Sequence, residues 1–305
     1  MIGLYPNASG MKIAFPTGDM RANLPLEIML WGSSKMKIEA ILIVGIFLTF
    51  ATLEMWRTNF WNKSNQTATD AWVELIGSPV LLILTQPFIL FAAYQLMSLA
   101  FPDAPGSWAT IPIIAQILLL VVFDDMMQYW WHRASHSFPW LYNLHRAHHS
   151  GGYMSVRIVF RNNIFYYLTM PSLWFSGALI YLGLGWVYVP YVVFKQLVIM
   201  GAHSDVRWDE PLYKIKWLSP VMWVVERTIS TPATHSAHHG KHASDGVTNY
   251  KGNFGNLLFL WDVLFGTAKI TRQYPPEIGI ENLPDISAAE QLAWPLFRSD
   301  ATKVT

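Results

Sequence analysis

Four stretches of this chain are too long and too apolar for the elements of an ordinary soluble domain: 36–56 (MKIEAILIVGIFLTFATLEMW), 79–101, 108–131 and 164–200. Crossing a bilayer as a helix takes about 20 apolar residues. Lipid offers the backbone no hydrogen-bond partners, so such runs fold as helices, which satisfy their own N–H and C=O groups. The first three runs each have the length of one span. The fourth exceeds it, and GLGW at its middle, 183–186, reads as a tight turn joining two short spans or as a re-entrant hairpin. A large buried helical core is the competing reading, and composition argues against it. Only 13% of residues are charged and 52% are hydrophobic, whereas soluble domains carry roughly 25% charge. Tryptophan and tyrosine at the ends of the runs suit the membrane–water interface. The expected fold is an all-α integral membrane protein: a small transmembrane helix bundle with a cytosolic, helical, histidine-rich cap, in one domain over residues 1–305.

The expected order within that domain is an N-terminal interfacial segment at 1–35, with LPLEIMLWG at 24–32, followed by spans within 36–131. Two histidine clusters then lie in 132–163, a transmembrane hairpin in 164–203, and a cap with a third cluster in 204–305. The mixed composition ahead of the first run does not read as a signal peptide. Lysine and arginine set the orientation. The loop 102–107 and the turn 183–186 carry none, while 132–163 carries four and 204–305 carries ten. The positive-inside rule places every histidine on the cytoplasmic side, of a bacterial inner membrane or the endoplasmic reticulum. Lys12, Arg21, Lys35 and Lys37 run against that rule and leave the N-terminal side open. A net charge of +1 gives no electrostatic footprint for nucleic acid. The absence of cysteine removes disulfides, iron–sulfur clusters and thiol chemistry.

All ten histidines fall between His132 and His242. HRASH sets His132 and His136 four apart, HRAHH carries His145, His148 and His149, and HSAHH carries His235, His238 and His239. Residues three and four apart share a helical face, so each cluster presents its imidazoles together. Pro139 can end one helix and let the first two clusters converge, and STP at 230–232 is a helix start. His203 stands alone at the end of the hairpin, and His242 trails the last cluster. A lone histidine is usually a hydrogen-bonded structural residue. This many imidazoles side by side are costly to bury, and they repel once protonated. Metal ions resolve both difficulties, because neutral imidazole is the commonest metal ligand. Zinc takes four ligands and octahedral iron six, so nine or ten histidines divide naturally over two ions, four or five each. Ligand type alone admits zinc, copper, iron or nickel. There is no H-E-x-x-H and no G-x-S-x-G, which removes the zinc-protease and serine-hydrolase signatures. A metal transporter or sensor is the alternative class. A transporter needs ligands at mid-membrane, whereas these lie beyond the span ends, where a fixed site meets a substrate arriving from the bilayer.

In this order and placement, HRASH, HRAHH and HSAHH resemble the histidine boxes of the membrane-bound fatty acid hydroxylase/sterol desaturase superfamily. The likeness extends over roughly residues 120–270: Asp125 seven residues before His132, HHSGGYMSVRIVFR ending at Arg161, TPATHSAHHG, and NFGNLLFLWDVLFGT at 253–267. Two positions depart from the family pattern. Arg207 stands where some members carry a further histidine, and His242 stands where many carry asparagine or aspartate. The resemblance implies a non-haem di-iron centre ligated by His132, His136, His145, His148, His149, His203, His235, His238 and His239, with zinc acceptable to the same ligands. It implies O₂ as co-substrate and attack on an unactivated C–H bond of a membrane lipid such as a fatty acyl chain, sterol, alkylglycerol or carotenoid. Hydroxylation is the favoured outcome and desaturation the alternative on the same ligands. No haem or flavin motif is visible, so a separate cytochrome b5-like, ferredoxin or flavoprotein donor is expected.

Other residues take supporting expectations. Asp125 and Gln128 lie on the His132 stripe, where an aspartate inside a membrane helix is expensive and usually functional. Asp125 is expected to accept an imidazole N–H, with metal ligation as the other role, Gln128 to support a ligand or bind metal itself, and Asp124 to be interfacial. Asp262 is expected to orient a ligand or cap a helix, and His242 to supply a tenth ligand or to lie outside the ligand set. Arg161 and Asn253 are expected to support the site, and Arg133 and Arg146 to meet lipid phosphates. The aromatics of 129–131 and 164–167 are expected in an interface belt, some of them lining a tunnel.

Overall fold

The computed structural model describes residues 20–61, 63 and 65–298, with side chains from Ile38 onward. Helix α1 is Met20–Arg57. Three more long helices follow, α2 at Ala68–Ala100, α3 at Ile113–Ser137 and α6 at Pro171–His203. Together with Ile38–Arg57 of α1, these four are long and apolar enough to cross a membrane. Between and after them come the cap helices α4 (Pro139–His149), α5 (Ile164–Leu168), α7 (Ser219–Thr228), α8 (Pro232–His239), α9 (Leu260–Leu264) and α10 (Ala288–Ala293). Among the described residues the only β pairing is an isolated bridge between Gly240 and Ile278. The chain is an all-α integral membrane protein. Ile41, Leu48, Ile83, Phe91, Leu99 and Ile114 point outward from the long helices, a surface that lipid solvates and water does not. Of the expected interfacial segment, 1–19 lies outside the described residues, and 20–35 runs as helix straight into the first span.

Helix α2 is about 50 Å long at 1.5 Å per residue, against a hydrocarbon core of about 30 Å. Its first turns therefore stand clear of the bilayer and belong to the cap. Asp70 forms an ion pair with Arg161 at 2.6 Å, and Glu74 pairs with Arg157 at 3.2 Å. Asp70 also closes a capping box with Thr67.

Helix α6 reverses on itself. Gly183 has φ +112°, and a Cβ there would meet the Ala109 backbone nitrogen at 2.9 Å. Only glycine accepts both constraints. The arms on either side return to the same end, because Ser172 and His203 line one cavity. The first arm packs tightly on α2, where a Cβ on Gly177 would lie 2.6 Å from that of Ala93. The second arm packs on α1 through Ile43, Ala51, Ile199 and Met200.

Helices α2 and α3 each contain one wide π turn, at Val80–Thr85 and Val121–Met126. Such turns recur where a helix carries function. The turn in α3 holds Asp124 and Asp125.

Candidate metal centre

Each histidine box is placed by its own helix and fixed by a local sequence device. Helix α3 ends at Ser137, and Phe138 takes an extended conformation. Pro139 then opens α4 as its first residue, where the missing N–H costs nothing. Helix α8 starts from a capping box in which the Thr231 and Thr234 side chains accept each other's backbone N–H, with Pro232 at its first turn. These joints aim the last turn of α3, the last turn of α4, the end of α6 and the whole of α8 at one point. Two groups of imidazoles result. His132, His136, His145, His149 and His238 form one; His148, His203, His235 and His239 form the other, and within each group the ligand atoms lie within 4.8 Å of one another. The groups adjoin, with the His149 and His239 rings stacked at 4.3 Å.

The hydrogen bonds fix which ring nitrogen faces inward. A carbonyl oxygen only accepts, so a ring nitrogen bonded to one carries the proton. His132 Nδ1 donates to Phe254 O at 2.7 Å, His238 Nδ1 to Gly252 O at 2.7 Å, His148 Nδ1 to Ile158 O at 3.1 Å and His203 Nδ1 to Ile199 O at 2.7 Å. His145 Nδ1 meets the amide oxygen of Asn162 at 3.0 Å. The inward Nε2 of each of these five is therefore a bare lone pair. His148 Nε2 and His203 Nε2 face each other at 3.1 Å, two acceptors with no proton between them. His132 Nε2 and His238 Nε2 are buried with no partner at all. Lone pairs so arranged repel unless a cation lies among them, and nitrogens bound at about 2.1 Å to one ion sit about 3.0 Å apart at octahedral angles and about 3.4 Å apart at tetrahedral ones. Spacings of 3.1 Å for His145–His149 and 3.2 Å for both His136–His149 and His235–His239 fit the same pattern. The donor set fits metal ions.

Burial, with neighbouring imidazoles adding to it, pushes the proton affinity of His145, His148, His149, His235, His238 and His239 well below the ordinary 6.5. They stand neutral at pH 7, the form in which imidazole binds metal. His242 stands apart from both groups. It is partly exposed on the cap and faces Glu281 at 3.2 Å and Glu277 at 3.5 Å.

The supporting residues act at one remove. Asp262 accepts the backbone N–H groups of Phe254 and Gly255 at 2.8 and 2.6 Å, so it fixes the peptide whose carbonyl holds His132. Asn253, at φ +55°, donates to Thr234 O and Lys269 O at 2.9 Å each and braces the third-box helix. Asp125 does not reach an imidazole. It accepts from Trp261 Nε1 at 2.8 Å and Leu258 N–H at 3.2 Å, pinning the same loop to α3. Arg161 is fully buried away from the histidines, joining Asp70, Ser150 and Gln291. Arg146 does not face lipid; it is buried against Glu290 at 2.8 Å. Asp124 is not interfacial either, being buried with Lys195, Tyr191 and Ser176. Tyr166 leaves the expected belt and stacks on His145 at 4.7 Å. Asn162 and the four carbonyl acceptors had no signal in the sequence, since a carbonyl has no residue identity and RNN at 161–163 has no periodicity.

A partly open cavity of about 80 Å³ adjoins both groups, touching His132 and His145 of one and His148 and His203 of the other. From there it runs between α3 and α6, walled by Val159, Phe160, Leu173, Val192 and Ile199. Gln128 lies in its wall with Oε1 unpartnered.

Residues 117–267 match the sequence profile of the family described as Fatty acid hydroxylase. The chain is 29% identical over 144 residues to alkylglycerol monooxygenase of Danio rerio, covering 47% of this chain and 28% of that protein. It is 27% identical over 216 residues to an ornithine lipid hydroxylase of Rhizobium tropici, covering 66% and 55%. It is 27% identical over 192 residues to a Delta(7)-sterol 5(6)-desaturase of Gibberella zeae, covering 57% and 50%. The matched region thus spans about half, or less, of each relative's own length. No solved structure matches significantly.

Proposed function

Because the chain belongs, through residues 117–267, to the fatty acid hydroxylase family, we propose that it is an O₂-dependent di-iron oxidase that hydroxylates an unactivated C–H bond of a membrane lipid. The observation that carries this reading is the cavity: one continuous, partly open space touches histidines of both groups and continues between the long apolar helices. His132, His136, His145, His149 and His238 would hold one iron, and His148, His203, His235 and His239 the other. Bound iron supplies the means to activate O₂ and abstract hydrogen from an unreactive carbon.

The chain's own residues do the rest. Asn162 and the carbonyls of Ile158, Ile199, Gly252 and Phe254 hold five imidazoles in one tautomer and one orientation, the outer support that metal sites depend on. Asp262 and Asn253 keep the loop that carries two of those carbonyls from moving. The apolar walls exclude bulk water and align a lipid chain toward the histidines. The overall balance, R–H + O₂ + 2e⁻ + 2H⁺ → R–OH + H₂O, needs two electrons from outside. A separate cytochrome b5-like, ferredoxin or flavoprotein reductase would deliver them at the cytoplasmic cap. Hydroxylation is favoured because two of the three relatives above are named as a hydroxylase or monooxygenase; the sterol desaturase supports loss of a second hydrogen as the other outcome.

Growth of expressing cells under ¹⁸O₂ tests this reading. A lipid with one labelled hydroxyl, absent with His148→Ala, is expected. A product two hydrogens lighter and unlabelled would make the enzyme a desaturase, and an unchanged lipid profile would overturn the oxidase reading.

A further inference from the structure

The cavity is more polar than a slot for a hydrocarbon chain requires. Its walls follow one face of α3 (Asp124, Gln128, His132) and one face of the second arm of α6 (Tyr188, Val192, Lys195, Gln196, Ile199, His203). At 1.5 Å per residue, Gln128 lies roughly 6 Å along its helix from His132 and Gln196 roughly 10 Å from His203. Gln128 Oε1, Gln196 Oε1 and Ser172 Oγ are buried there with no hydrogen-bond partner. Unpartnered polar atoms inside a membrane bundle are costly, and their gathering in one cavity points to a ligand that satisfies them.

The charge of the cavity restricts that ligand. Lys195 is the cation in its wall, and it is already paired with Asp124. Asp124 is saturated in turn, accepting also from Ser176 at 3.0 Å and Tyr191 at 2.8 Å. Away from the histidines, the side chains of the wall leave no unpaired charge to hold a carboxylate or a phosphate. A carboxylate also only accepts, so it would leave the two amide oxygens unsatisfied. A hydroxyl both donates and accepts, and it pairs with an amide in either orientation and with a serine.

We infer that Gln128, Gln196 and Ser172 form a subsite for the hydroxyl group of an uncharged, alcohol-bearing lipid, set several bonds from the carbon presented to the histidines. The inference rests on the lipid-oxidase reading and deepens it, since it excludes free fatty acids and anionic lipids from this orientation.

The test is native mass spectrometry of the full chain, loaded with redox-silent zinc and equilibrated in detergent with hexadecan-1-ol, hexadecane or palmitate. One alcohol per chain should half-saturate at a concentration about tenfold below that of the alkane, the scale of one or two net hydrogen bonds, and below that of palmitate. Gln128→Leu and Gln196→Leu should weaken alcohol binding by about that factor and strengthen alkane binding, with zinc content unchanged. Should a leucine variant lose its zinc, Ser172→Ala and the ligand ranking on the unaltered chain decide. Equal affinity for alcohol and alkane, or alcohol binding untouched by the substitutions, would overturn the subsite, as would a preference for palmitate that Gln128→Leu and Gln196→Leu weaken as they weaken alcohol binding. Those outcomes leave the ¹⁸O₂ result standing, so the two failures are separable.

Discussion

His148 and His203 show at the scale of single residues why this cluster is built around cations. Each donates its outer N–H to a carbonyl and so turns a lone pair toward the other. Removing the ligand and removing its support should differ in degree. His148→Ala or His238→Ala should abolish turnover and lower metal content while the protein still inserts. Asn162→Leu leaves every ligand in place but takes the acceptor from His145 Nδ1. It should cost roughly 10–100-fold in metal affinity, read by the chelator concentration that strips the site; unchanged retention would show that Asn162 is only packing. The box histidines were legible because helical spacing at i, i+3 and i+4 is written in the sequence. Asp124 and Asp125 were misread for a definable reason. Straight α-periodicity puts Asp125 on the His132 face, but the π turn at Val121–Met126 takes an extra residue per turn and slips the register by about one. Asp124 faces the cavity as a result, and Asp125 turns to Trp261 and Leu258.

At the scale of elements, apolar length located the four long helices, and Pro139 and Thr231-Pro232 marked where the box helices begin. What length alone did not reveal is how far α2 rises above the membrane, because that depends on partners distant in sequence. Arg161, fully buried, joins α2 to the second-box helix and α10 through Asp70, Ser150 and Gln291. Arg161→Ala would leave Asp70 buried and unpaired, a loss of about 3–5 kcal/mol for a broken buried pair. A sharply lowered unfolding temperature is expected, and a shift of only a degree or two would show that the joint is not structural. At the turn of α6, Gly183→Ala forces a side chain into φ +112° and against Ala109, with a strain of roughly 1–3 kcal/mol. Reduced thermal stability with metal content preserved is the expected result, since the turn lies at the far end of the hairpin from the histidines.

The whole molecule is a membrane bundle whose cap closes over one end of a lipid-facing cavity. We propose from the distribution of lysine and arginine that this cap faces the cytoplasm, and the absence of cysteine makes this simple to check. A membrane-impermeant thiol reagent applied to intact cells should label Ser107→Cys and spare Lys241→Cys; the reverse pattern would invert the topology. The central claim is that nine histidines hold two irons. Its most direct test is the metal content of protein purified from iron-supplemented cells, followed by O₂ uptake on chemical reduction. Close to two irons per chain, with O₂ consumed when they are reduced, is the predicted result. Tightly bound zinc despite iron supplementation, with no O₂ uptake, would contradict it and mark the histidine cluster as a metal site without oxidase chemistry.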